Sequence, residues 1–365
     1  MRSPDTKRQH VDEPAPSGGR VTSIARWMAK RRQAAGLRPR VSVVMPVYNA
    51  ESTLAECLTR LCASTFGEFE IVLVDDSSTD GTRAIATNFP VRVVESGGRL
   101  GPAAARNIGA REAQGDLVFF IDSDVMVRPD TLARLVERFE QGDVDGLVGV
   151  QAAAMRYRDL PSQYKNIWMR WTYVRQTGDV PLFYTTAAAI RRDAFLYAGG
   201  FDEGYANPSL EDTDFGQKLA RLGIRVRVDP ALEVEHVKRY SLGGLLRTDY
   251  LRAVALTRMK LRAPSDLAKN NTSVPGSYML SVPLAGLGLA ALLVGAVLGS
   301  AALLAVGLGA LVGTVLCNRE FLSALRETDG LVRTLRAVPI LWLELLVVGA
   351  GTAVGMLTYV FGRRY

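Results

Sequence analysis

The chain has 365 residues, 48% of them hydrophobic, and carries 44 Lys/Arg against 37 Asp/Glu for a net charge of +7. It is too apolar to be disordered throughout, and 34 glycines without a three-residue period exclude a collagen-like chain. The basic total points first to nucleic acid or an anionic surface, but residues 1–40 hold ten Lys/Arg and three Asp/Glu, and the rest of the chain balances at 34 against 34.

The aromatic residues do not interleave with that basic tail as base stacking requires, so nucleic acid is not the expected partner. Residues 1–20, with Pro14, Pro16, Gly18 and Gly19, read as disordered, and no apolar stretch bounded by a cleavage site marks a secretory signal. At 21–37, Ile24, Trp27, Met28 and Leu37 interleave with Arg26, Lys30, Arg31 and Arg32. This pattern suits a basic surface helix against anionic lipid, or a solvated extension of the following domain. Cys57, Cys62 and Cys317 have neither zinc spacing nor an even disulfide framework, and are expected as small apolar side chains in a reducing compartment.

From residue 41 to about 235, short β-branched runs alternate with helical stretches. Strands are expected at 41–45, 71–74, 91–94 and 117–121, and helices at 52–62, 82–88, 103–113 and 131–139. Strand and helix in alternation predict a mostly parallel sheet covered on both faces, with ligands beyond the carboxyl ends of its strands. Polar clusters fall at those ends: Pro46, Tyr48 and Glu51 after the first strand, Asp75 and Asp76 after the second, and Asp122, Ser123 and Asp124 after the fourth. Asp80, Gly81 and Ser78 are ordinary turn and cap residues. Asp122 and Asp124, two apart after a buried strand, repel one another unless a cation or donor separates them, which suits Mg²⁺ or Mn²⁺ bridged to phosphates.

Farther along, Glu211, Asp212 and Asp214 precede a helical stretch at 215–222, where acids are also favourable caps. His236 follows an expected strand and is succeeded by basic residues, which suits a metal or diphosphate contact or a structural role. Residues 236–270 carry eight Lys/Arg against Asp249 and Asp266. No charge interrupts residues 270–318, a run long enough for two membrane spans of about 20 residues turning near Gly299 and Ser300. Residues 319–336 alternate arginine with Phe321, Leu322, Leu325, Leu331 and Leu335, as in a helix lying in the interface. A third run at 338–361 carries only Glu344, which would face the bundle or snorkel. Basic flanking loops put the soluble domain on the cytoplasmic side, with Arg363 and Arg364 across the membrane.

Six segments in order carry a family resemblance: VSVVMPVYNAE (41–51), VLVDDSSTDGT (72–82), GPAAARNIGA (101–110), FFIDSD (119–124), GGFDE (199–203) and EDTDFGQKLARLG (211–223). Over roughly 41–240 the chain resembles the family 2 glycosyltransferases with a GT-A fold. The resemblance implies transfer of a sugar from a nucleotide sugar with inversion at the anomeric carbon. It places Pro46, Tyr48 and Glu51 around base and ribose, and Asp76 at the base with Asp75 beside it. Arg106 falls near the nucleotide, and Asp122 with Ser123 approaches the ribose or metal. Asp124 would hold a divalent Mg²⁺ or Mn²⁺, with His236 as a further metal or diphosphate contact, and Asp212, next to Glu211, would be the general base. The QxxRW motif of processive members is absent, since no Gln precedes Arg170 and Trp171 at that spacing.

The expected organisation is therefore a basic tail (1–40), a GT-A domain (41–240), a basic juxtamembrane helix (241–275) and a membrane region (276–365) with about three spans. The expected protein is a non-processive transferase on the cytoplasmic face of the cell membrane, acting on a lipid-linked or membrane-borne acceptor. A polysaccharide synthase subunit with an export partner, or a catalytically silent nucleotide-binding scaffold, is the alternative.

Overall fold

The first strands are short β-branched runs whose alternate side chains enter two different cores. In a computed structural model that describes residues 38–205, 210–262 and 272–362, β1 (Val41–Val47), β2 (Phe69–Asp75), β3 (Arg92–Glu95) and β4 (Leu117–Ile121) lie parallel in the order β3-β2-β1-β4. Val43, Met45, Ile71, Leu73 and Phe119 fill one core, while Val44, Val72, Val74 and Phe120 fill the other. Burial on both faces accounts for runs that lack polar alternation. The surface helix expected at 21–37, along with Arg363 and Arg364, lies outside the described residues.

Helices α1 (Leu54–Cys62), α2 (Thr82–Ala86), α3 (Pro102–Glu112) and α4 (Thr131–Glu140) fall within one or two residues of their expected positions. Cys57 is buried, its thiol donating to the Val125 carbonyl oxygen at 3.0 Å. The parallel half of the sheet is as expected, but its other half is mixed. β7 (Ala187–Arg191) runs antiparallel to both β4 and β6 (Gly146–Gln151). β8 (Val226–His236) pairs parallel to β6 with a register shift between Val148 and Val150. The two-residue strand β5 (Val125–Met126) then closes on the end of β8, placing Val125 opposite His236.

Beyond β6 come α5 (Leu160–Val174), α6 (Arg192–Tyr197), α7 (Glu211–Arg221), α8 (Leu242–Arg262), α9 (Gly276–Leu298), α10 (Ala301–Cys317), α11 (Arg319–Asp329) and α12 (Leu331–Val360). Gly299, at φ +60°, ends α9, and the Ser300 hydroxyl caps α10, which puts the turn where the uncharged run was expected to reverse. By length and composition α9 and α12 can each cross a membrane, and α10 with α11 makes a third candidate only as one span bent by 64°. The single interface helix expected at 319–336 is instead divided. Gly330, at φ +81°, stops α11, and 331–336 form the first turns of α12.

The membrane-type helices and the sheet domain share one apolar cluster. Trp168 of α5 packs edge-on to Phe321 of α11 at 4.9 Å between ring centroids and lies 4.6 Å from Tyr278 of α9. Glu344 does not snorkel; it is buried and accepts a hydrogen bond from the Tyr164 hydroxyl. Helix α8 lies along the C-terminal half of α12, where Gly351 and Gly355 permit close approach. A Cβ on Gly351 would sit 2.6 Å from the Tyr250 carbonyl oxygen, so only a residue without one fits. Arg258 of α8 donates to the Thr358 hydroxyl at 3.0 Å.

Candidate active site

The carboxyl ends of β1, β2 and β4 open into one cleft of about 530 Å³, within the range of small-molecule sites. Its lining includes Pro46, Tyr48, Asp76, Arg106, Asp122, Ser123, Asp124 and His236. Two loops are zipped together to form one wall. The backbone N–H of Asn49 donates to the Ser78 hydroxyl at 3.1 Å, Thr79 N–H to the Asn49 side-chain oxygen at 2.8 Å, and Gly81 N–H to Glu51 Oε2 at 3.0 Å. Glu51 and Asp75 serve that scaffold. Asp75 accepts from Ser78 N–H at 3.1 Å and pairs with Arg83, and neither acid lines the cleft.

Asp76 does line it. Buried to 3% exposure, its carboxylate accepts from the backbone N–H groups of Leu100 and Gly101 at 2.8 and 2.9 Å and from Arg99 at 3.3 Å. The Arg99 guanidinium in turn covers the Tyr48 ring. A flat aromatic and a fixed acceptor therefore stand side by side, as recognition of a heterocyclic base requires.

Helix α3 carries the next contacts. Pro102 occupies its first turn after Gly101, and a Cβ on Gly109 would fall 2.4 Å from Val44 Cγ1, so the glycine presses the helix onto β1. That approach buries Arg106, which donates to Asp122 Oδ1 at 2.8 Å and to Glu211 Oε1 at 2.9 Å. The neighbouring Asn107 clamps the backbone of Phe201, donating to its carbonyl and accepting from its N–H, both at 2.9 Å. One turn of helix thus ties the Asp122 strand end to the start of α7.

At that start, Glu211 and Asp212 part in role. Glu211 is engaged by Arg106. Asp212, 8% exposed, accepts at Oδ1 from its neighbour Thr213 and has no ion-pair partner among the described residues. Burial, reinforced by the Glu211 charge and opposed by Arg252 and Arg106, pushes its carboxyl up to about 6. A carboxylate poised there changes charge within the physiological range, as a general base requires.

Across the cleft, pairing of β5 with β8 brings Asp124 Oδ2 to 3.2 Å from His236 Nε2, and Val237 N–H donates to the Asp124 carbonyl at 2.8 Å. Burial works against charge on Asp124, but the His236 hydrogen bond and the nearby Lys238 charge outweigh it and hold the carboxyl below its usual range. The Gln151 side chain lies 3.2 Å from His236 Nδ1 and donates to the Tyr184 hydroxyl at 3.0 Å, fixing the ring. Among the described residues no three His, Cys, Asp or Glu side chains form a metal cage. The oxygens of Asp124 and Asp122 fit a hard divalent cation otherwise held by phosphate and water, which is how Mg²⁺ commonly binds, and the His236 imidazole would be its one nitrogen donor.

Several residues in or behind the cleft are not apparent as site residues in the sequence. Arg99 sits in a glycine-rich loop whose position opposite Tyr48 only the fold reveals, and Gln151 and Tyr184 approach His236 from β6 and the β7 side. Lys238 and Arg239 also line the cleft, and their sequence signal was the basic run after His236.

Residues 42–197 match the family model described as Glycosyl transferase family 2. The chain is 34% identical over 114 residues to glycosyltransferase GlyG of Streptococcus pneumoniae, covering 30% of this chain and 38% of that protein. It is 37% identical over 148 residues to an undecaprenyl-phosphate 4-deoxy-4-formamido-L-arabinose transferase of Pseudomonas aeruginosa, covering 38% of this chain and 42% of that one. The chain thus spans about two fifths of the length of each of these two relatives. In fold it is similar to the mannosyltransferase PcManGT of Pyrobaculum calidifontis, solved with GDP-Man and Mn²⁺, with a TM-score of 0.53 at 22% identity over 91% of this chain and 94% of that one. The ordered motifs, the sheet they end and this match make residues 42–197 a glycosyl transferase family 2 domain of GT-A-like fold, followed by helices long and apolar enough to cross a membrane.

Proposed function

We propose that the protein is a membrane-bound, metal-dependent, inverting glycosyltransferase. It moves a sugar from a nucleotide donor to a hydroxyl of a lipid-linked or membrane-borne acceptor, one sugar at a time, at the cytoplasmic face. The observation that carries this reading is the single cleft in which Tyr48, Asp76, Asp122, Asp124 and His236 converge, with Asp212 held behind it through Arg106 and Glu211. The undecaprenyl-phosphate transferase among the relatives supports a lipid-borne acceptor.

In this reading Tyr48 and Asp76 receive the base, and Arg106 keeps Asp122 oriented toward the ribose. Lys238, Arg239 and His236 face the diphosphate, which gains negative charge as it leaves, and fixed cationic groups stabilise that charge without reorganising. Asp124 would hold a divalent cation, which would supply further electrostatic stabilisation of the leaving group. Asp212 takes the proton of the acceptor hydroxyl as that oxygen attacks the anomeric carbon from the face opposite the diphosphate.

The test is transfer itself. Purified full-length protein, a panel of radiolabelled UDP, GDP and dTDP sugars and a bacterial lipid extract should yield organic-soluble label that requires Mg²⁺ or Mn²⁺. Label that forms without any divalent cation, or only in free sugar released by hydrolysis, contradicts the proposal.

A further inference from the structure

Below the donor cleft lies a second space of different character. It has a volume of about 360 Å³ and is enclosed by α5, α8, α9 and α12, with Trp168, Met169, Leu256, Val282 and Val348 on its walls. Its lining also carries polar groups: Thr213, adjacent to Asp212, and Arg252, together with Lys165, Lys260 and the acids Asp249 and Glu344, of which Asp249 is paired with Lys165 and Glu344 accepts from Tyr164. A small polar pocket of about 30 Å³ lies between the two spaces, since His236 and Lys238 line both it and the donor cleft, while Lys165, Met169 and Arg252 line both it and the apolar cavity.

Arg252 is the residue at this junction. Among the described residues its guanidinium has no carboxylate at ion-pair distance. Its hydrogen bond is to the Met169 sulfur at 3.8 Å, a weak acceptor for the strongest cationic donor in proteins. The neighbouring Lys165 differs, being paired with Asp249. A guanidinium held largely out of water without a bidentate partner is a site for an anion with planar or tetrahedral oxygens. The mainly apolar cavity it lines is walled in part by two helices of membrane type, through Val282 and Val348.

We infer that this cavity receives the acceptor as a phosphate-bearing lipid, with the phosphate at Arg252 and the hydrocarbon chain along Trp168, Leu256 and Val282. The inference rests on the glycosyl-transfer reading and names the acceptor class for it. An anionic head with an apolar tail matches the guanidinium and the apolar walls. It also sets the head group next to Thr213 and therefore next to the Asp212 carboxylate that would take the acceptor's proton.

The test uses full-length protein in detergent with farnesyl phosphate as probe, beside farnesol and inorganic phosphate. Nucleotide-sugar binding is measured on the same samples. Farnesyl phosphate should bind the parent more tightly than either fragment. Arg252→Ala and Leu256→Trp should each weaken it by about tenfold or more, and Arg252→Lys by less, because lysine keeps the charge and loses the fork. Nucleotide-sugar binding should stay at the parental level in all three. Equal affinity for farnesol overturns the phosphate assignment, and equal affinity for inorganic phosphate overturns the lipid assignment. Unchanged farnesyl phosphate binding in Arg252→Ala and Leu256→Trp, or no binding to the parent because the chain itself fills the cavity, overturns the inference outright. Failure of the glycosyl-transfer reading has a separate signature, in which the lipid probe binds as described and no nucleotide sugar does.

Discussion

Replacing Asp212 with asparagine separates activity from stability in opposite directions. The carboxyl rises from an ordinary 3.8 to about 6 because it is buried beside Glu211. As the proposed base it must be ionised, so at pH 7 roughly nine tenths of the protein is competent and at pH 5 roughly one tenth. Turnover of the parent should therefore fall about tenfold between those values and level off above pH 7. The amide introduced by Asp212→Asn cannot accept the proton, and the loss should be about 10²- to 10⁴-fold with no remaining dependence near pH 6. Stability runs the other way. A folded carboxyl that holds its proton more tightly than the unfolded one adds stability as pH drops through 6, complete near 3.8, and is a net cost above 6. That cost is at most about 3 kcal/mol at neutral pH. Asp212→Asn removes it, so the variant should melt several degrees above the parent at pH 7, and the gap should close toward pH 4. Initial rates across pH 5 to 8, with thermal unfolding in the same buffers, read both effects. A variant within a few-fold of parental activity, or a parent whose activity is flat through pH 6, would refute the assignment of the base.

Arg106→Ala removes the buried guanidinium that bridges Asp122 and Glu211, and should cost about 3 kcal/mol of stability in denaturant unfolding as well as activity. Gly351→Leu drives a side chain into the Tyr250 carbonyl where α8 meets α12. It should lower the unfolding temperature in detergent while leaving the donor cleft, which no part of that helix pair lines, able to bind nucleotide.

The parallel half of the sheet was legible because its signal is local. The runs at 117–121 and 41–45 are mostly apolar and β-branched or aromatic, and α1 and α4 carry strong amphipathic periods, so the elements land within a residue or two. The strand β7 was not legible, since three of its five residues are alanine and what makes it a strand is its place between β4 and β6. The division at Gly330 was hidden by an arginine and leucine alternation that continues across it, whereas the break is a backbone property of one glycine. In the candidate site, Tyr48, Asp76, Asp122, Asp124 and His236 do converge on one cleft, while Glu51 and Asp75 turn away into the loop scaffold. Arg252 was invisible among the basic residues of a juxtamembrane helix. Only tertiary packing distinguishes it from Arg247 or Arg258, by bringing it to the junction of two cavities.

The central claim is a nucleotide-sugar site that depends on a divalent cation. Its most direct measurement is thermal stabilisation of the full-length protein by UDP, GDP and dTDP sugars, each with and without Mn²⁺ or Mg²⁺, repeated in Asp124→Ala. One nucleotide class should raise the melting temperature saturably in the presence of cation, with the shift reduced or lost when the cation or the Asp124 carboxylate is removed. No shift with any nucleotide sugar, or a shift that neither chelation nor Asp124→Ala alters, would contradict the account.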